Sequence, residues 1–132
     1  MTDTEINKQT CLKFFELATT GQFDAAKALL HDNVEWAIIG DLPWSGSHFG
    51  QDDVMNLFTM LGQIIAPPIT LNFTTLTAEE DRVAIEMNSD CTLLNGSPYK
   101  TVYHQLFRLK DGKIVYAKEY FDTKYVAAVL PM

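Results

Sequence analysis

Cysteine and histidine are scarce in this chain, and their scarcity argues against disulfide scaffolds and metal sites. Cys11 and Cys91 lie far apart, with no Cys-x-x-Cys motif. We therefore expect two packed thiols in a reducing compartment. The three histidines, His31, His48 and His104, are scattered. They lack the short spacing of metal ligands, so we predict no metal.

Basic residues and cofactor motifs are lacking as well. Ten Lys and Arg stand against 17 Asp and Glu, giving a net charge of -7. A nucleic-acid backbone would be repelled by this charge, so we expect no nucleic-acid partner. The sequence contains no GxGxxG, no P-loop and no GxSxG, and we predict no cofactor.

Long apolar runs are also missing. No run of about 18 apolar residues is present, so we expect no membrane-spanning helix. The opening segment MTDTEINKQT has no signal-peptide core, which favours a cytoplasmic protein that does not bind membranes.

The residues that are present favour one globular domain over 1–132. The apolar fraction is 47%, and a chain of 132 residues is long enough to bury a core. We find no internal repeat, low-complexity segment or linker.

Helical periodicity dominates the first part of the chain. It predicts helices over EINKQTCLKFFELATT, over FDAAKALL and over QDDVMNLFTMLGQII, with VEWAII as a short strand between the last two. From Ile69 onward the period changes to two, and four strands are predicted. Asn95-Gly96 and Asp111-Gly112 mark their hairpins. Helices followed by an antiparallel meander indicate an α+β fold, with a hollow between a curved sheet and the helices as the natural ligand site.

The stretch AIIGDLPWSGSHFG combines glycines with an indole and an imidazole, residues that a plain surface loop does not need. We predict that Trp44 lies on a loop at the mouth of the hollow, with His48 beside it. Trp36 and Ile38 alternate on the preceding strand and are predicted to line its floor.

Strand pairing predicts which side chains face the hollow. A two-residue loop at Asn95-Gly96 would set Gln105 opposite Glu86 and Tyr103 opposite Asn88. His104 would then lie on the other face, at a dimer interface. The second hairpin leaves two alternatives: a two-residue loop turns Asp122 inward, and a three-residue loop with a bulged glycine turns Glu119 inward.

The order of elements resembles a known superfamily. The segments FFELATTGQFDAAKALLHDNVEW, LPWSGSHFGQDDVMNLF and LFRLKDGKIVYAKEYFDT resemble the SnoaL-like and ketosteroid-isomerase-related families of the nuclear transport factor two-like superfamily. The resemblance covers nearly the whole chain. It implies a cone-shaped sheet wrapped around three helices (a cystatin-like α+β roll), an enclosed pocket and a homodimer. It also favours Glu119, with Phe121, as the inward pair.

The resemblance does not select one activity, because the superfamily contains isomerases, polyketide cyclases, hydrolases and non-catalytic binding domains. Trp36 stands where ketosteroid isomerases carry their base aspartate, and Gln105 stands where they carry an oxyanion-hole aspartate. We expect either an isomerase, cyclase or hydrolase that uses a pocket carboxylate, or a non-catalytic binding domain or dimeric interaction module. The expected ligand is a small apolar or amphipathic molecule.

The candidate residues follow from this reasoning. Glu119 is predicted to move a proton, while Gln105 and Tyr103 hold the ligand's oxygen. The predicted pocket wall comprises Trp36, Ile38, Trp44, His48, Leu57, Leu61, Asn88 and Phe121.

Overall fold

The computed structural model describes residues 2–131. The helices are α1 (Asp3–Thr19), α2 (Phe23–Lys27), α3 (Gln51–Gly62) and α4 (Thr123–Val129). The strands are β1 (Leu30–Ile38), β2 (Gly46–Phe49), β3 (Ile65–Ala66), β4 (Leu71–Glu79), β5 (Arg82–Ser89), β6 (Cys91–Leu93), β7 (Pro98–Tyr99), β8 (Val102–Lys110) and β9 (Lys113–Phe121).

Six strands form the main sheet in the order β2-β1-β9-β8-β5-β4. All its pairings are antiparallel except that of β1 with β9. A small second sheet has the order β3-β6-β7. The predicted α+β fold, a curved and unclosed sheet packed against the N-terminal helices, is confirmed.

The first hairpin differs from the prediction. The backbone N–H of Leu93 donates to Ser97 O, and Gly96 adopts a φ of 90°, so the loop has three residues and not two. Each predicted pair therefore slips by one residue. Gln105 lies opposite Ile85, and Tyr103 lies opposite Met87.

The slip reverses the predicted faces of β5. Its buried residues are Val83, Ile85, Met87 and Ser89. Glu86 is exposed. Asn88 lies two residues further along β5 and so points to the same outer face of the sheet. Its Oδ1 accepts a hydrogen bond from Asn72 Nδ2 at 3.0 Å. The predicted polar interior of Glu86 and Asn88 is wrong, because one residue of register exchanges the two faces of a strand.

The second hairpin combines a short turn with a bulge. Asp111 and Gly112 have φ values of 53° and 74°, the positive pair that a two-residue type I′ turn requires. Leu109 pairs with Ile114, but Arg108 pairs with Tyr116, so Val115 is an extra residue on β9. This bulge reverses the parity of the strand beyond it. Glu119 faces inward, as the resemblance implied, although the predicted three-residue loop is not formed.

Two hydrophobic clusters fill the interior. The larger lies between the main sheet and helices α1 and α3, where the Phe14 ring lies 5.5 Å from Trp36 and 5.3 Å from Phe58. We call the smaller one the cap cluster; its buried residues are Leu42, Ile65, Cys91, Leu93, Tyr99, Val126 and Leu130. Trp44 and Phe121 pack against both clusters and so mark the boundary between them.

Both thiols are buried and unpaired. Desolvation raises the pKa of Cys11 to about 12, so this thiol stays protonated. Across residues 2–131, none of the helices has both the length and the apolar character needed to cross a membrane.

Candidate functional site

A cavity of about 80 Å³ lies at the boundary between the main core and the cap cluster. Ligand pockets usually begin at about 300 Å³, so the cavity as it stands suits a single small ring. Its wall is mostly apolar. Nine of the predicted residues line it, namely Trp36, Ile38, Trp44, Leu57, Leu61, Tyr103, Gln105, Glu119 and Phe121.

Glu119 brings a carboxyl group to this apolar wall. It lies on β9, beside Ile38 of β1 and opposite Gln105 of β8. Loss of solvent raises its pKa from 4.5 to about 7, because burial penalises the charged form. A carboxyl group with this pKa both takes and gives protons near neutral pH, as a general acid or base must.

Two neighbours oppose the effect of burial on Glu119. Gln105 Nε2 donates to Glu119 Oε1 at 3.1 Å. The indole N–H of Trp36 also favours the charged form, although it reaches no acceptor at full hydrogen-bond geometry. Trp36 is fully buried, so its N–H has no solvent to bind instead. The pKa of about 7 is thus a balance between desolvation and two donors.

Gln105 is positioned by the β8–β9 pairing and is only 2% exposed. Its Nε2 is used by Glu119, whereas its Oε1 is buried and has no partner among the described residues. Buried polar atoms are usually satisfied, and an unpaired one often marks a functional or strained position.

Tyr103 forms a hydroxyl pair that sequence reasoning missed. Its hydroxyl hydrogen-bonds to the hydroxyl of Tyr99, which comes from β7 in the small sheet. Desolvation raises the pKa of both hydroxyls, that of Tyr99 to about 12, and Glu119 adds to the shift. Both remain protonated at neutral pH and available for hydrogen bonding. The parity rule did not find Tyr99, because the chain changes sheets between Tyr99 and Tyr103.

Two predicted wall residues lie elsewhere. Asn88 points to the outer face, for the reason of register given above. The His48 side chain does not line the cavity; its Nε2 lies 2.7 Å from Trp44 O and holds the segment that carries the Trp44 ring. The loop that carries Trp44 is shorter than predicted, because β2 pairs with β1 from Gly46 onward. His48 therefore acts on the wall through Trp44.

Asp122, the alternative to Glu119, and His104, which was predicted on the other face, both lie away from the cavity. Asp122 lies outside the cavity and caps α4, accepting from Tyr125 N at 3.1 Å. His104 is exposed on the outer face, with its ring centroid 6.5 Å from that of Tyr120.

Glu119 is the one carboxyl group among the described residues that line the cavity. The lining residues include no Lys, Arg or His. Within the described part of the chain, no three His, Cys, Asp or Glu residues are grouped closely enough to hold a metal ion.

Three solved structures illustrate the fold. An NTF2-like protein from Burkholderia xenovorans LB400 has a TM-score of 0.83 at 18% identity, over 99% of this chain and 100% of that one. An NTF2-like protein of unknown function from Burkholderia pseudomallei K96243 has a TM-score of 0.85 at 19% identity, over all of both chains. TerC, co-crystallized with polyporic acid, has a TM-score of 0.82 at 17% identity, over 94% of this chain and 97% of TerC. At these identities the likeness establishes the fold alone.

Sequence comparison establishes the family. No curated protein matches the chain. The model of the SnoaL-like domain matches residues 12–117, a span that runs from α1 into β9 and holds Trp36, Tyr103 and Gln105. The chain therefore belongs to the SnoaL-like family.

Proposed function

We propose that the protein is a cofactor-independent acid–base enzyme in which Glu119 transfers a proton on a small, mostly apolar ligand that carries a carbonyl group. One observation carries the proposal: Glu119 is the only carboxylic acid among the cavity-lining residues, and its pKa is raised to about 7. A carboxyl group in an apolar wall is of little use to stability, since burying it costs free energy, and in Glu119 this desolvation outweighs the hydrogen bond from Gln105.

The reaction follows from the groups present. The ionised carboxylate of Glu119 takes a proton from the carbon next to the carbonyl, and the C–H electron pair forms the enolate. Tyr103 donates a hydrogen bond to the oxygen on which charge develops. Glu119 then exchanges the proton it has taken for one from solvent and returns that one to the same carbon, which gives exchange. Delivery of the proton to another carbon of a conjugated enolate gives isomerisation.

The size and character of the cavity support a ligand of one small ring. A larger, polyketide-like molecule would require the Trp44 segment or α4 to move, since both line the wall. A protein of the same fold has been co-crystallized with polyporic acid, which supports the capacity of this architecture to hold an organic molecule.

Hydrogen–deuterium exchange tests the proposal. Cyclopentanone is incubated with the protein in D₂O, and deuteration next to the carbonyl is followed by NMR. We expect catalysed exchange that falls roughly 100-fold or more in Glu119→Gln, the usual contribution of a general base. Glu79→Gln is the matched control, because Glu79 is an exposed carboxylate at the end of β4 that does not line the cavity.

Binding without exchange would favour the alternative, a non-catalytic small-molecule binding domain. Exchange that survives Glu119→Gln unchanged would overturn the role of Glu119. Neither result depends on knowing the natural substrate.

The proposed partner is a second copy of the chain, bound through the outer face of the main sheet. Val102 is 65% exposed there and Tyr120 is 40% exposed. Lys118 Nζ lies 5.2 Å from the centre of the Tyr120 ring. Glu86 lies on the same face, in one cross-strand row with His104 and Tyr120. A face that carries apolar groups and both charges can pair with itself about a two-fold axis.

We propose a cytoplasmic location, supported by two buried thiols that remain unpaired. Such thiols are typical of reducing compartments.

A further inference from the structure

Tyr99 and Tyr103 meet across the boundary between the two hydrophobic clusters. Tyr99 belongs to the cap cluster and to β7, whereas Tyr103 is packed against the main core from β8. Their hydroxyls are hydrogen-bonded, and both side chains line the cavity. The pair therefore places a polar group on a wall that is otherwise mostly apolar.

The position of Tyr99 is fixed from two sides. Its carbonyl oxygen accepts from Ser89 Oγ at 3.2 Å, and its ring stacks on Tyr125 with centroids 6.3 Å apart. The Tyr125 hydroxyl is itself held by Lys100 N at 2.9 Å. Tyr99 is thus anchored before any ligand binds, and pre-organised groups lose less entropy on binding.

The hydroxyl pair of Tyr99 and Tyr103 has one hydrogen-bond donor left for a ligand. Two hydroxyls joined by one hydrogen bond use one of their two hydrogens, which leaves one free O–H donor. When Tyr99 donates to Tyr103, the free donor is on Tyr103, next to Phe121 and diagonal to Glu119. A donor that already accepts a hydrogen bond is polarised and binds a further acceptor more strongly.

The charge of the wall limits the ligand. An anionic ligand would lie beside Glu119 with no Lys, Arg or His on the wall to balance it. A buried, unpaired charge is strongly disfavoured. The cavity therefore suits a neutral molecule with one hydrogen-bond acceptor.

We propose that Tyr99 is a positioning residue that orients the Tyr103 hydroxyl toward the oxygen of a neutral, single-ring carbonyl ligand. This inference rests on the proposed function for the location of the site, but it concerns binding and not proton transfer.

Two probes of nearly equal shape test the role of Tyr99. Cyclopentanone carries the oxygen, and methylenecyclopentane replaces it with an apolar CH₂ group. Their Kd values are measured by ligand-observed NMR for the wild type and for Tyr99→Phe. We expect Tyr99→Phe to weaken ketone binding roughly three- to tenfold, the fold-change of one hydrogen bond, and to leave alkene binding unchanged.

A double-mutant cycle separates positioning from packing. If Tyr99 acts through Tyr103, Tyr99→Phe has no further effect on ketone binding in a Tyr103→Phe background. Tyr116→Phe is the control, since Tyr116 does not line the cavity and pairs with Arg108 nearer the hairpin end of β9. Equal weakening of both probes, or additive effects of the two variants, would each overturn the proposal.

The two proposals fail separately. Loss of ketone selectivity in Tyr99→Phe, together with an absence of exchange in the wild type, would support the subsite and reject the enzyme. Glu119-dependent exchange with unchanged selectivity in Tyr99→Phe would support the enzyme and reject the subsite.

Discussion

Gln105 and Glu119 face each other across β8 and β9, and the amide of one donates to the carboxylate of the other at 3.1 Å. The hydrogen bond lowers the pKa of Glu119 against the larger effect of burial. Gln105 therefore helps to set the pH at which Glu119, the only carboxyl group on the cavity wall, loses its proton.

Replacing Gln105 by Leu should raise the pKa of Glu119 above about 7, because the variant removes a donor and keeps the apolar surroundings. The carboxyl carbon of Glu119, followed by ¹³C NMR during a pH titration, measures the shift. The variant should retain most of its stability, since it also removes the unpaired Gln105 Oε1. Asn72→Leu, on the outer face, is the control, and an unchanged pKa in Gln105→Leu would contradict the prediction.

The protonation of Glu119 should also make stability depend on pH. Its pKa is about 7 in the folded chain against 4.5 in the reference state, so the folded state holds the proton more tightly. Its contribution to stability is fully present below pH 4.5 and is lost as pH rises to about 7, and the loss is at most about 3 kcal/mol. Urea unfolding at pH 5 and pH 8 tests this. The wild type should lose more stability over this interval than Glu119→Gln, and equal losses would show that the carboxyl group is not desolvated.

His48 should control access to the cavity through Trp44. His48→Ala removes the 2.7 Å contact with Trp44 O and should cost about 1 kcal/mol of stability. Cys91 lines the cavity and reports access, whereas Cys11 lies in the main core and serves as the internal control. Thiol labelling followed by peptide mapping should show faster modification of Cys91 in the variant, with Cys11 unchanged. Equal acceleration at both cysteines would indicate general unfolding.

The proposed homodimer should depend on the outer face of the main sheet. Tyr120→Asp places a charge on that face and should convert the dimer to a monomer in light-scattering measurements of mass. Ile6→Asp changes an apolar residue on α1 that is 42% exposed, and should leave the mass unchanged. A monomeric wild type would reject the partner proposal.

The sequence by itself determined the class of fold and most of the cavity wall. The helical and two-residue periods predicted α1, α3 and the long strands, because burial of one face imposes these repeats on the chain. Alternation along β1 was enough to place Trp36 and Ile38 inward. The resemblance to the SnoaL-like family gave the inward direction of Glu119.

Strand register was decided by tertiary structure. The extra residue Val115 and the three-residue loop at Gly96 each shift the pairing by one position, and such a shift exchanges the faces of a strand. Turn signals such as Asn-Gly locate a hairpin, but they do not fix the number of residues in its loop. Asn88 was therefore placed inside, although it lies outside.

The contact between Tyr99 and Tyr103 could not be predicted from any local sequence pattern. The two residues belong to different sheets, and only the packing of the cap cluster against the main core brings their hydroxyls together. The raised pKa of Glu119 has the same origin, because desolvation depends on every group that closes the cavity and not on the neighbours of Glu119 in the chain.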